Sequence, residues 1–117
     1  LRFLCLIAAL ADPKPAPLIA IDEPETGLHP AMMPLVAELA VEASRRAQVV
    51  FTTHSDTFLD AFRETRPTTT VARWDDGQTR LHTVDDDELT RFLDGYSLGA
   101  LYRSGELESD FLARRAG

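Results

Sequence analysis

Two adjacent carboxylates, Asp22 and Glu23, and one histidine, His54, are the residues of this chain whose types and settings suit chemistry. The acids follow an unbroken apolar run, Leu18-Ile-Ala-Ile21, and the histidine follows a second strand-like run, Val49-Val-Phe-Thr-Thr53. Two acids at the end of a buried strand are costly unless a cation or a reaction uses them. One acid so placed can hold Mg²⁺, which prefers oxygen ligands and nucleotide phosphates. A second can orient or deprotonate a water for attack on a γ-phosphate. The plain alternative is a solvated corner in which Pro24 marks the turn, and a lone Asp-Glu pair would favour it. His54 alone would read as a satisfied histidine at a strand end. The two sites together favour chemistry.

The elements that must position these residues follow from hydrophobic patterning. No polar residue alternates within Leu18–Ile21, so the run is expected to be an interior parallel strand buried on both faces. In open α/β sheets, ligands bind at the carboxyl ends of such strands. Between the two runs lies a helical stretch from Pro30 to about Arg46, with proline suited to its first position. Met32, Leu35, Val36, Leu39 and Ala43 follow the spacing of one buried face. Arg45 and Arg46 near its carboxyl end complement the helix dipole. A strand ending in acids, a helix, and a strand ending in a histidine make a βαβ unit with its chemistry at one edge.

Leu18-Ile-Ala-Ile-Asp-Glu-Pro-Glu-Thr-Gly-Leu-His-Pro30 resembles the Walker B and D-loop region of ABC-type ATPases, and Thr52-Thr-His-Ser-Asp56 resembles their switch-histidine loop. The closest variant is the soluble branch: RecF-like, SMC-like and OLD-like ATPases and the related AAA-domain ATPases of bacterial defence systems. Transporter ATPases follow the acid pair with a Ser-Ala-Leu-Asp type of D-loop, where this chain has Pro24-Glu-Thr-Gly-Leu-His-Pro30. The resemblance is close over about residues 1–60 and loose beyond. It implies an α/β fold: a partial P-loop NTPase lobe, with parallel strands, crossover helices and a carboxy-terminal β-hairpin and helices. It also implies roles: Asp22 for Mg²⁺, Glu23 for the attacking water, His54 as a switch on the γ-phosphate. Thr26, Gly27, Leu28 and His29 would be dimer-contact D-loop residues. ATP as substrate, a second ATPase subunit in a homodimer, and a DNA or nuclease partner reached through a parent protein are implied likewise. DNA maintenance, repair and phage defence all use this layout, and a fold does not choose among them.

No Gly-x-x-x-x-Gly-Lys-Ser/Thr occurs in the sequence, and a phosphate cradle needs that turn and its lysine. The chain is therefore expected to carry half of an active site, as the carboxy-terminal portion (1–117) of one ATPase domain. The cradle and the signature turn would come from upstream sequence or another chain, and a first residue of Leu1 fits that expectation. In the sheet order that the resemblance implies, the P-loop strand lies between the His54 strand and the later strand, so its absence leaves either a gap or a forced re-pairing of strands. A reading from another class stays open: a non-catalytic module, left by truncation or degeneration, that dimerises or docks a partner.

The chain's 117 residues are 44% hydrophobic, which suits one small domain. Nineteen acids against 12 Lys and Arg, for a net charge of −7, argue against a nucleic-acid grip made by this segment alone. The single cysteine, Cys5, is expected to be a small buried hydrophobe in a reducing compartment. No apolar run is long enough to span a bilayer and none has the layout of a signal peptide, so the cytoplasm is expected and no membrane partner. Leu1–Ala11 reads as a helix buried nearly all round, stopped by Pro13, Pro15 and Pro17. A third helix is expected over about Asp56–Glu64, capped by Ser55 or Asp56. Thr68–Trp74 and Thr79–Val84 read as a hairpin around Asp75-Asp-Gly77. Asp85–Glu88 reads as an acidic helix start rather than a metal site, with Gly95 as that helix's stop. Tyr96–Tyr102 reads as a short helix and the last residues as a polar tail. His29 is expected to be a D-loop or helix-cap residue, and His82 and Trp74 to serve packing or surface.

Overall fold

The computed structural model describes residues 1–62, 64–85, 87 and 98–105. The expected helix at 88–95 and the polar tail lie outside them. The chain divides into two compact units, Leu1–Thr65 and Arg66–Gly117.

In the first unit the order is α1 (Arg2–Leu10), β1 (Leu18–Asp22), a 3-10 turn (Pro30–Met32), α2 (Met33–Ala43), β2 (Gln48–Thr52) and α3 (Asp56–Asp60). β1 and β2 pair in parallel, from Leu18 opposite Gln48 to Asp22 opposite Thr52. This register brings the ends of the two apolar runs level, so the Asp-Glu pair and the His54 loop emerge at the same end of the sheet. The ladder extends past both ends, with Gln48 N–H donating to Pro17 O and Glu23 N–H to Thr52 O.

The core lies on one side of this sheet. Leu6, Leu10, Met33, Val36, Ala40, Ala43 and Phe58 are buried, and Ile19, Ile21, Val49 and Phe51 pack half-buried against them. Phe58 meets Phe51 and Phe62 edge-to-face at 5.5 and 5.2 Å between ring centroids, contacts worth about 0.5–1.5 kcal/mol each beyond their area. Ser55 caps α3, its hydroxyl accepting from Phe58 N–H at 3.1 Å. The Arg46 guanidinium donates to Leu10 O and Asp12 O, tying the end of α2 to the end of α1.

Three expectations are corrected here. β1 is not buried on both faces: Leu18 is 53% and Val50 44% exposed, because the helices cover one face of the pair only. α1 is not buried all round, since Leu6 and Leu10 point inward while Leu4 and Cys5 are exposed. The buried face of α2 is rotated from the one expected. Because Pro30–Met32 is a 3-10 turn, Met33, Val36, Ala37, Ala40 and Ala43 point inward, while Met32 and Leu35 are exposed.

The second unit holds a hairpin, β3 (Thr70–Asp75) and β4 (Gln78–Thr83), and a short helix, α4 (Leu98–Arg103). The strands pair antiparallel from Thr70–Thr83 to Asp75–Gln78. Asp76 and Gly77 carry φ of 49° and 77°, the pair of left-handed positions that a two-residue turn of type I′ demands. Among the described residues the hairpin is a sheet of its own, separate from the β1–β2 pair.

Candidate functional site

The site is built where β1 and β2 end. Asp22 is the last residue of β1, and its Oδ1 accepts from the Thr52 hydroxyl at the end of β2. The same Thr52 oxygen accepts from Glu23 N–H at 3.1 Å. A carboxylate oriented by a neighbouring hydroxyl and open to solvent suits a hard cation that takes one or two protein carboxylates, with water and phosphate oxygens completing its shell. Among the described residues no group of three or more His, Cys, Asp and Glu side chains gathers to enclose a metal. Asp22 would thus hold Mg²⁺ only together with oxygens from a nucleotide or water.

Glu23 turns the chain out of the strand with φ of 46°, in the left-handed region that a non-glycine residue seldom adopts. Its backbone is pinned from several sides. Its N–H donates to Thr52 O at 3.0 Å, and its carbonyl accepts from Thr26 N–H at 3.1 Å. The Arg2 guanidinium donates to that carbonyl at 2.9 Å and to Asp22 O at 3.3 Å. The Glu23 side chain then faces His54, with Oε1 3.7 Å from Nε2. That is contact, but too long for a direct hydrogen bond. The His54 imidazole is 82% exposed.

The turn after Glu23 runs through Pro24–Gly27. Thr26 Oγ1 lies 3.5 Å from Glu23 Oε2. Gly27 has φ of 76°, which a left-handed turn position requires. Leu28 packs half-buried against the core. His29 caps the 3-10 turn, its Nδ1 accepting from Ala31 N–H at 3.1 Å. Of the expected D-loop residues, Thr26, Gly27 and His29 are exposed.

Three residues of the site were not singled out from the sequence. Glu25 reaches across to β2's exit, its Oε1 accepting from Thr53 Oγ1 at 2.6 Å and from His54 N–H at 3.3 Å. Thr52 orients Asp22, and Arg2 grips the carbonyls of both acids. A signal existed for Arg2, a lone cation among Phe3, Leu4, Leu6 and Ile7. Glu25 stands two residues after Glu23, but spacing alone did not say that it would turn toward another strand.

A β-strand ending in Asp-Glu, paired in parallel with one that leads into a histidine loop, is the arrangement of a P-loop ATPase lobe of the ABC type. A family described as "AAA domain, putative AbiEii toxin, Type IV TA system" matches residues 1–60, just over half of the chain. The chain belongs to this AAA-domain family. No curated protein matches the chain. Among solved structures it is similar to one described as the structural biochemistry of ATP-driven dimerization and DNA-stimulated activation of SMC ATPases, at 22% identity and a TM-score of 0.54, over 70% of this chain and 48% of that one. It is also similar to the SmcHead bound to the C-winged helix domain of ScpA, at 23% identity and a TM-score of 0.56, over 67% of this chain and 23% of that one. The chain thus spans less than half the length of each of these relatives, and the likeness is one of fold. Among the described residues, no helix is long and apolar enough to cross a membrane.

Proposed function

We propose that this chain supplies the hydrolytic half of an ATPase site, in a protein where a glycine-rich phosphate cradle is provided by upstream sequence or by another chain. The observation that carries the reading is the convergence of Asp22, Glu23 and His54 at one end of the β1–β2 pair. Asp22 contributes an oxygen to Mg²⁺, which when bound neutralises developing phosphate charge. Glu23 orients a water and takes its proton. Glu23 Oε1 and His54 Nε2 are 3.7 Å apart, a separation at which one water or phosphate oxygen can touch both. Thr26, Gly27 and His29 offer an exposed surface to a second copy, in keeping with the ATP-driven dimerization described for the SMC relative. A cytoplasmic role in DNA maintenance or phage defence, with DNA or nuclease partners held by other parts of the protein, completes the proposal.

The test is hydrolysis by the full-length protein. Glu23→Gln should keep nucleotide binding and lower kcat by about 100-fold or more, because shape persists and the base is lost. Asp22→Asn should weaken Mg²⁺-dependent nucleotide binding as well. Hydrolysis at the parental rate by Glu23→Gln would remove Glu23 as the base. No measurable hydrolysis by the parental full-length protein would instead leave the non-catalytic docking module as the better reading.

A further inference from the structure

We infer that Glu25 is the positioning residue of the His54 loop. It locks the chain after β2 to the turn after β1, so that His54 faces Glu23.

The inference rests on a linked set of contacts. Glu25 Oε1 accepts from the Thr53 hydroxyl at 2.6 Å and from His54 N–H at 3.3 Å. The same Thr53 oxygen accepts from Ser55 N–H at 2.9 Å, and the Ser55 hydroxyl caps α3 through Phe58 N–H at 3.1 Å. The donors and acceptors balance: Thr53 spends its one hydroxyl proton on Glu25 and a lone pair on Ser55. Every residue from 53 to 55 is thereby fixed, directly or through Thr53, to a carboxylate that belongs to another loop. Glu25 thus holds the backbone of His54 rather than its ring. The imidazole is 82% exposed and meets Glu23 only at 3.7 Å.

The second oxygen of Glu25 narrows the role further. Oε2 is buried with no hydrogen-bond partner among the described residues. The side chain's work is therefore done by Oε1 as an acceptor, and an amide oxygen can accept in its place. Glu25 touches neither Glu23 nor Asp22 through its carboxylate in any hydrogen bond among the described residues. It acts through Thr53 and His54.

The kcat part of the inference rests on the ATPase reading above, whereas the positioning part does not. Amide hydrogen exchange on the full-length protein reads the positioning directly, without nucleotide. Glu25→Ala should speed exchange in the peptide covering residues 53–58 by about 10-fold, the equivalent of one lost hydrogen bond. Glu25→Gln should leave it near parental. Thr53→Val should copy Glu25→Ala, Thr53→Ser should restore parental exchange, and the Glu25→Ala/Thr53→Val double variant should be no worse than either single one. In the hydrolysis assay Glu25→Ala should lower kcat about 10-fold or more with little change in KM for ATP, since a misplaced group costs rate rather than binding. Glu25→Gln should keep most of kcat. Parental exchange at residues 53–58 in Glu25→Ala overturns the inference. So does a Glu25→Gln variant as impaired as Glu25→Ala, which would put the charge itself on metal or phosphate. Absence of hydrolysis by the parental full-length protein would sink the ATPase reading instead, and the exchange result would still decide the role of Glu25.

Discussion

At the scale of single residues, the site combines strain with pinning. Glu23 adopts φ of 46°, a conformation that costs a non-glycine residue about 1–2 kcal/mol. It persists because Thr52, Thr26 and Arg2 hold its N–H and carbonyl. Glycine at this position would keep those backbone bonds and lose the strain. Glu23→Gly should therefore raise unfolding stability by about 1 kcal/mol while abolishing the proposed base. Equilibrium denaturation checks the first half, and a fall in stability would show that the side chain's contacts outweigh the strain. Gly27 is the converse case. No atom lies within 4 Å of where its Cβ would stand, yet its φ is 76°. Gly27→Ala should thus cost about 1 kcal/mol from backbone conformation alone, read from the same denaturation curves.

Among the elements, α2 decides how the βαβ unit packs. The 3-10 turn at Pro30–Met32 shifts the phase of the helix that follows, so Val36 and Ala40 face inward and Leu35 does not. α3 is only Asp56–Asp60, but its Phe58 is among the most buried side chains of the chain and carries the edge-to-face contacts with Phe51 and Phe62. Phe58→Ala should cost about 3–5 kcal/mol, whereas Leu35→Ala should cost less than about 1 kcal/mol. Urea denaturation of the two variants separates the observed helix phase from the one that simple i, i+3, i+4 counting suggests. Comparable losses would put Leu35 in the core after all. The hairpin has its own exposed apolar side chains, Trp74 at 72% and Leu81 at 71%.

For the whole molecule, the question is what residues 1–117 can do by themselves. Triphosphate recognition needs cationic and amide donors, whereas the site offers chiefly carboxylates, an exposed histidine and an Arg2 guanidinium that already donates to the carbonyls of Asp22 and Glu23. Asp22 and Glu23 would repel phosphates and recruit Mg²⁺ only loosely without a lysine and glycine-rich amides. Calorimetry with Mg-ATP on the purified 117-residue chain should find no hydrolysis and binding weaker than micromolar. Tight binding would mean that the phosphate site has been misplaced. Among the described residues, β1 and β2 form a two-stranded sheet with one exposed face and no further strand on either outer edge. Such edges template pairing with another chain, so the isolated chain should also associate as its concentration rises, as sedimentation would detect.

Much of this was legible in the residues themselves. The parallel pairing of 18–22 with the run ending at Thr52, the Ser55 cap and the Asp76-Gly77 turn all follow from local rules: apolar runs make strands, a hydroxyl caps a helix, and left-handed turns take Asp-Gly. The placing of Asp22, Glu23 and His54 at one sheet end followed from the same pattern, because parallel strands run the same way and so exit at the same end of the sheet. Burial was not legible. An apolar run says that a strand can be covered on both faces, but only the assembled helices show that one face of β1 is covered and Leu18 is left bare. Nor does a sequence report helix phase where a proline-led 3-10 turn precedes the helix, which is why Met33 rather than Met32 is in the core. The ties that define the site, Glu25 to Thr53, Thr52 to Asp22 and Arg2 to the Glu23 carbonyl, join residues some 20 to 30 positions apart. Such contacts depend on the register of β1 against β2 and the docking of α1, and these exist only once the chain has folded.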